Sequence, residues 1–283
     1  MTDSGSDADA SVEATTDTRA DQENILRVQI REGLSELNRP ADGLALSGLS
    51  AGLDIGFGPL LMAIVLTVSE SANTAPLVEE LVLANAYAIG FVFVVLGRSE
   101  LFTEHTTLAV LPVLDGQANL GQLARLWGIV YGANVVGGAV FAAIVVFVAP
   151  GLGVADASAF VEIAKSLTEH RWQIILAAGV LAGWLMGLLS WLVAAAQESV
   201  ARLLFVWIIA TAIGFAHLPH SIAGTVEVLA GVFVAPSLTM LDFARFLVPA
   251  TVGNAIGGSI FVAVLKYGHV VRGSTVPDGT GTE

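Results

Sequence analysis

The chain has 283 residues, 55% of them hydrophobic and 13% charged, with a mean hydropathy of +0.77, a balance that excludes an ordinary soluble domain and points to a polytopic membrane protein. Its formal net charge of −13 argues against nucleic acid as a partner. With no cysteine, disulfides, thiolate metal sites and cysteine nucleophiles are excluded.

Residues 1–23 are polar, acidic and without an apolar core, so a disordered tail is expected there rather than a cleavable signal. Residues 24–39 follow with apolar positions at Ile25, Leu26, Val28, Ile30, Leu34 and Leu37 and charges between them, ending at Pro40. This pattern reads either as an amphipathic helix on the cytoplasmic face or as a helix packed on a neighbouring subunit. Six apolar stretches of spanning length come next, over 46–68, 81–96, 123–148, 172–196, 203–235 and 246–267. Residues 269–283 read as a C-terminal tail.

Two of these stretches, the second when counted straight through its polar break to residue 114, are too long for one straight helix. Residues 81–114 and 203–235 would each run about 50 Å at 1.5 Å per residue, against roughly 30 Å of hydrocarbon. Each carries a polar interruption: RSELFTEHTT at 98–107 in the second, GFAHLPH at 214–220 in the fifth. Freed backbone groups and ionisable side chains are costly in hydrocarbon, so such breaks belong where protein or a wet cavity receives them.

The halves of the chain also repeat. Asn134-Val-Val-Gly137-Gly138 in the third span recurs as Asn254-Ala-Ile-Gly257-Gly258 in the sixth, 120 positions on (134 to 254). Ala51-Gly52-x-x-x-Gly56 in the first recurs as Ala178-Gly179-x-x-x-Gly183 in the fourth, 127 on (51 to 178). On this matching, Glu100 corresponds to His220. Three spans per half invert the second half, giving repeats over 46–149 and 172–268. Inverted repeats with matching broken helices place a solute path at their interface. Basic residues gather near one set of span ends (Arg19, Arg27, Arg31, Arg39, Arg125, Arg202, Lys266 and Arg272), which places both termini in the cytoplasm of a cell membrane.

The sequence SELFTEHT at 99–106 resembles the A-E-L-F-T-G-N signature of the formate/nitrite transporter family, and His220-Ser-Ile-Ala223 is similar to that family's H-S-I-A segment. The resemblance covers residues 24–268. It implies an aquaporin-like six-span protomer, a homopentamer with one pore per subunit, and passage of small monovalent anions of weak acids such as formate, nitrite or hydrosulfide. It further implies two apolar constrictions flanking a central histidine. Leu101, Phe102 and Thr103 match one; Phe215 and Leu218 are candidates for the other; Arg202 stands near the position of the family's lysine. The sequence departs from the family at Glu104-His105, which replace Gly-Asn, at Gly224, which replaces an asparagine, and at GFAHLPH, where either His217 or His220 can be the central histidine.

Imidazole titrates nearest neutral pH, so His220 is suited to donating a hydrogen bond or a proton to an anion whose desolvated charge is costly. Thr103 could hydrogen-bond the same solute. Glu100 is expected to cap helix amides. Glu104 and His105 either line a vestibule or face a neighbour. Glu227, seven residues after His220 and on the same helical face, either tunes the histidine or meets a subunit interface. Asp54 is either a pore group or a paired residue near the membrane surface. No cofactor or metal is expected: His217-x-x-His220 lacks the i, i+4 spacing of a zinc helix and has a proline between. That leaves proton-coupled anion transport set against an aquaporin-like path for water or small neutral solutes, with an intramembrane enzyme the remotest reading.

Overall fold

The computed structural model describes residues 6–72 and 74–273, and every regular element among them is helical. In chain order these are α1 (Ser6–Leu37), α2 (Ala41–Asp54), α3 (Phe57–Ala72), α4 (Pro76–Gly97), α5 (Phe102–Leu108), α6 (Leu111–Leu114), α7 (Leu120–Gly151), α8 (Ala157–Thr168) and α9 (Trp172–Ala195). Then come α10 (Ser199–Phe215), α11 (Ser221–Val234), α12 (Met240–Ile256), a π-helical segment (Gly257–Val264) and α13 (Leu265–Gly273). Among the described residues, five stretches are long and apolar enough to cross a membrane: Ala41–Ala72, Pro76–Gly97, Leu120–Gly151, Trp172–Ala195 and Met240–Val271. The helices Ser199–Phe215 and Ser221–Val234 are equally apolar but shorter.

The backbone is helical from Ser6, inside the segment expected to be an unstructured tail. No glycine or proline interrupts residues 6–32, and alanine, glutamate and glutamine are good helix formers. Residues 1–5 and 274–283 lie outside the described residues, and the C-terminal tail expectation falls mostly there. The α1 segment does not merely lie on a surface. Leu26, Ile30 and Leu37 are buried, and Gly33 sits so close to the Leu108 carbonyl and Pro112 that α1 docks directly on the end of α5 and on α6.

Two helix pairs dominate the packing, α2 on α7 and α9 on α12. Small residues allow both. A Cβ at Gly52 would meet the Asn134 backbone and one at Gly183 the Asn254 backbone, while Gly137 and Gly257 face Leu49 and Val180 carbonyls in the same manner. Backbones that touch this closely gain dispersion contacts without needing an apolar driving force that lipid cannot supply. The glycine pattern read from the sequence is therefore displaced by one turn. Gly48 and Gly52 play the part of Gly179 and Gly183, because both asparagines mark the contact.

Both long stretches break. The first break is the four residues 98–101, shorter than the expected decade, since Phe102 already opens α5; the second is 216–220. Among the described residues, Arg98 (φ 56°) and His217 (φ 49°) are the non-glycine residues in the left-handed region, one just past the helix end at each break. A left-handed residue turns the chain out of a helix and lets its last carbonyls be satisfied, and histidine tolerates it better than most.

Candidate functional site

Each break is held by one buried asparagine. Asn134 accepts from the Phe102 amide (2.8 Å) and donates to the carbonyls of Gly48 and Glu100 (both 2.8 Å). Asn254 accepts from the Ser221 amide (2.8 Å) and donates to the carbonyls of Gly179 and Pro219 (both 2.9 Å). A side-chain amide supplies one acceptor and two donors, so it can satisfy both sides of a broken helix at once. The two sets fix the alignment of the breaks: Leu101, which precedes α5, corresponds to His220, which precedes α11. The sequence comparison had matched Glu100 to His220, one residue off.

The asparagines bring the two breaks face to face. His220 is 2% exposed, and its Nδ1 accepts from the Ala223 amide at 3.2 Å. The remaining ring proton is thereby assigned to Nε2, which lies 2.7 Å from Thr103 Oγ1. The threonine hydroxyl accepts from the ring, and its own proton is left to donate elsewhere. Phe91 of α4 meets the imidazole edge-on at 4.9 Å, and Tyr87, one turn away, lies 5.1 Å from Phe91. Leu101 is fully buried beside this pair. Phe102 turns instead toward α7, with Trp127 at 5.7 Å and Tyr131 at 5.0 Å.

Two cavities lie toward opposite ends of α10, one lined by Glu104 and His105, which follow Thr103, and the other by Leu218, two residues before His220. The cavity on the α1 side measures about 440 Å³ and is lined by Glu32, Glu36, Arg98, Glu100, Glu104, His105 and Arg202, among others. Gln29 Oε1 and His105 Nδ1, both buried, have no protein partner there among the described residues, as suits a hydrated vestibule. The Glu100 carboxylate does not cap helix amides, because Asn134 already serves the break. It binds Arg39 Nη1 at 2.6 Å and the His105 ring instead. Arg39 also holds Glu36 at 3.0 Å, which ties the end of α1 to the first break. Arg202 donates to the Ala196 carbonyl at 3.0 Å.

The second cavity, about 30 Å³, lies on the α8 side and is lined by Met62, Tyr87, Ser166, Ile213, Leu218 and Glu227, with His217 at its rim. His217 is exposed and paired with Glu80 at 3.1 Å. The geometry thus separates the two histidines, since only His220 reaches Thr103. Phe215 does not join the site. It is 45% exposed, whereas Ile213, two residues earlier and nearly opposite on the helix, is buried at the cavity. Sequence reasoning missed Ile213, Tyr87 and Phe91. The i, i+4 spacing of Tyr87 and Phe91 was the available signal, but α4 is apolar on every side and advertises no face. Gly224 is explained by Phe246, whose ring occupies the space of any Cβ at that position. Asp54 accepts from Ser50 (3.0 Å) and Ser99 (3.1 Å), bracing the first break.

Burial, and then the neighbouring Glu100 charge, hold the Glu36 carboxyl above its ordinary value, while hydrogen bonding to Glu36 raises Arg39. A raised carboxyl stabilises docking most below its unfolded value, and that contribution is lost as pH rises through the raised value. Hydrogen exchange over residues 24–38, corrected for intrinsic rates, is therefore expected to quicken from acid to neutral pH. In Glu36→Gln this dependence should shrink, and in Arg39→Ala exchange should be faster at every pH. Unchanged protection in both variants would show that the cluster does not hold α1.

The profile of the family described as "Formate/nitrite transporter" matches residues 23–268. The chain belongs to the formate/nitrite transporter family. Among its relatives, the inner membrane protein YfdC of Escherichia coli is 31% identical over 85% of this chain and 76% of its own. A probable formate transporter of Methanothermobacter thermautotrophicus is 29% identical over 77% and 85%. Of solved structures, an "FNT family ion channel" superposes with a TM-score of 0.71 at 26% identity, covering 89% of this chain and 98% of that one. A "pentameric formate channel with formate bound" superposes at 0.67 and 22% identity over 82% and 98%, which shows the shared fold. As a member of the formate/nitrite transporter family with several apolar helices of spanning length, the chain is a multi-pass membrane protein of a transporter family rather than of an enzyme family.

Proposed function

We propose that the chain is a membrane channel or transporter for small monovalent anions of weak acids, formate and nitrite being the first candidates, and that the solute crosses between the two breaks at Thr103 and His220. One observation carries this reading: a buried histidine and a buried threonine are held 2.7 Å apart where the two breaks meet, each break pinned by its own asparagine, with cavities toward opposite ends of α10. The matching bonds of Asn134 and Asn254 support two inverted three-helix repeats, with α4–α5 and α10–α11 as the interrupted second and fifth of six spans. The named relatives and the pentameric neighbour support an anion as solute and a homopentamer as assembly. The basic residues near α1 support cytoplasmic termini.

An anion at this constriction loses hydration, and each hydrogen bond it receives offsets part of that cost. The Nε2–H of His220 donates to Thr103, and the Thr103 hydroxyl donates onward to the solute. Leu101, Phe91, Ile213 and Leu218 exclude ions that keep their water. Uptake into proteoliposomes of formate, nitrite, hydrosulfide, acetate and chloride, with water flux measured in parallel, tests the reading over a range of pH. Formate or nitrite should pass with flux rising toward acid pH, and His220→Asn, which removes the ring N–H that orients the Thr103 hydroxyl, should lower that flux. Water flux without anion flux would favour the aquaporin-like alternative, and a His220→Asn profile identical to wild type would remove the histidine from the mechanism.

A further inference from the structure

Resting on that reading, we propose that Glu227 is a second solute-contacting group of the path, a carboxyl that exchanges a proton with the weak-acid anion between the α8-side cavity and His220. Glu227 is 6% exposed and follows His220 by seven residues on α11, which puts it on the same face about 10 Å further along. It lines the small cavity with Tyr87, Ser166 and Leu218. The rings of Tyr87 and Phe91 form a continuous wall from that cavity to the imidazole of His220.

Nothing in the packing calls for a carboxyl here. Among the described residues no hydrogen bond or ion pair holds it, and an apolar side chain would fill the position at less cost. The titratable groups around it are few. Tyr87 faces it from α4, and His217 at the rim is engaged with Glu80. The portions of α3, α8 and α10 that line the cavity bring no acidic or basic side chain, and Glu104 and His105 of α5 line the other cavity. An ionisable group kept inside a membrane span without a structural partner is a functional group by default.

The chemistry complements that of His220. With Nδ1 occupied by the Ala223 amide, the imidazole donates a hydrogen bond but is a poor proton donor. A carboxylic acid is close in acidity to formic or nitrous acid, so proton exchange with their anions runs without a large uphill step. In that exchange the O–H bond of the Glu227 carboxyl breaks and the proton bonds to the anion's oxygen, giving a neutral acid and a carboxylate. The carboxylate then takes a proton from the aqueous phase at the α8-side cavity. One proton thus accompanies one anion past the constriction.

Proteoliposome formate uptake between about pH 5 and 8 tests this with wild type, Glu227→Gln, Glu227→Asp and His220→Asn. Glu227→Gln keeps size and hydrogen bonding, and it should lower flux by about tenfold or more and flatten its pH dependence; Glu227→Asp should retain both in part. In wild-type protein, dicyclohexylcarbodiimide should label Glu227, as it does protonated buried carboxyls, and formate should slow the labelling. Wild-type flux and pH dependence in Glu227→Gln overturn the proposal. If that variant fails to assemble, the absence of labelling, or labelling indifferent to formate, overturns it. A wild type that carries no weak-acid anion at all removes the transport reading itself, an outcome distinct from either.

Discussion

Asn254→Ala is expected to lower the thermal unfolding midpoint of the detergent-solubilised protein so far that little folded material survives purification. The side chain is fully buried and makes three bonds, to the Ser221 amide and to the Gly179 and Pro219 carbonyls. Removing it leaves one donor and two acceptors with neither protein partner nor bulk water. Each unsatisfied buried group costs about 1–3 kcal/mol, so the sum is several kcal/mol against a total stability of about 5–15 kcal/mol. Asn254→Asp keeps the acceptor for Ser221 and, as a protonated acid, one of the two donors, so it should fall between. Asn134→Ala makes the same three losses at the first break and is expected to match Asn254→Ala. Scanning fluorimetry and gel filtration measure both. A midpoint within a few degrees of wild type would mean that the breaks are held by packing and not by the asparagines.

The same asparagines show what the sequence could and could not reveal. Two polar interruptions in overlong apolar stretches, and an Asn-x-x-Gly-Gly motif occurring twice, were enough to find both breaks and the helices that brace them. The registers were not. Glycines four apart lie on one helical face, so Ala51-Gly52-x-x-x-Gly56 aligns with Ala178-Gly179-x-x-x-Gly183 as well as the true pairing does, and only the asparagine contacts distinguish one turn from the next. The one-residue slip between Glu100 and His220 has a related origin, since polar residues crowd each break and a match by type cannot say which one precedes the helix. The constriction suffered more. Helices apolar all round carry no moment toward a pore, so nothing in the sequence directs attention from Phe215, which is exposed, to Ile213, which is buried. The HSIA sequel favours His220 over His217 from the sequence, and the backbone supplies a physical reason: the left-handed turn at His217 sends its ring outward to Glu80.

Thr103→Val is expected to reduce anion flux strongly while leaving the fold in place, whereas Thr103→Ser should stay near wild type. Valine matches threonine in shape, so packing around this fully buried position is preserved, and the hydroxyl alone is lost. Two consequences follow on the same atom. The Nε2–H of His220 loses the acceptor 2.7 Å away, and the solute loses the donor that the hydroxyl presented to it. If the solute oxygen cannot replace that contact, a penalty of about 1–3 kcal/mol corresponds to roughly a 5- to 150-fold fall in flux. If it can, the imidazole bonds the solute directly and becomes its sole donor there, so flux would drop less but bind the anion more tightly, visible as a lower half-saturation concentration. Stopped-flow measurement of formate uptake against concentration separates these, and the double variant with His220→Asn shows whether the two groups act as a unit: coupled residues give a loss well short of the product of the single losses. Flux in Thr103→Val equal to wild type at every concentration would mean that the solute does not pass the Thr103–His220 pair, and the path would have to be sought elsewhere between the two cavities.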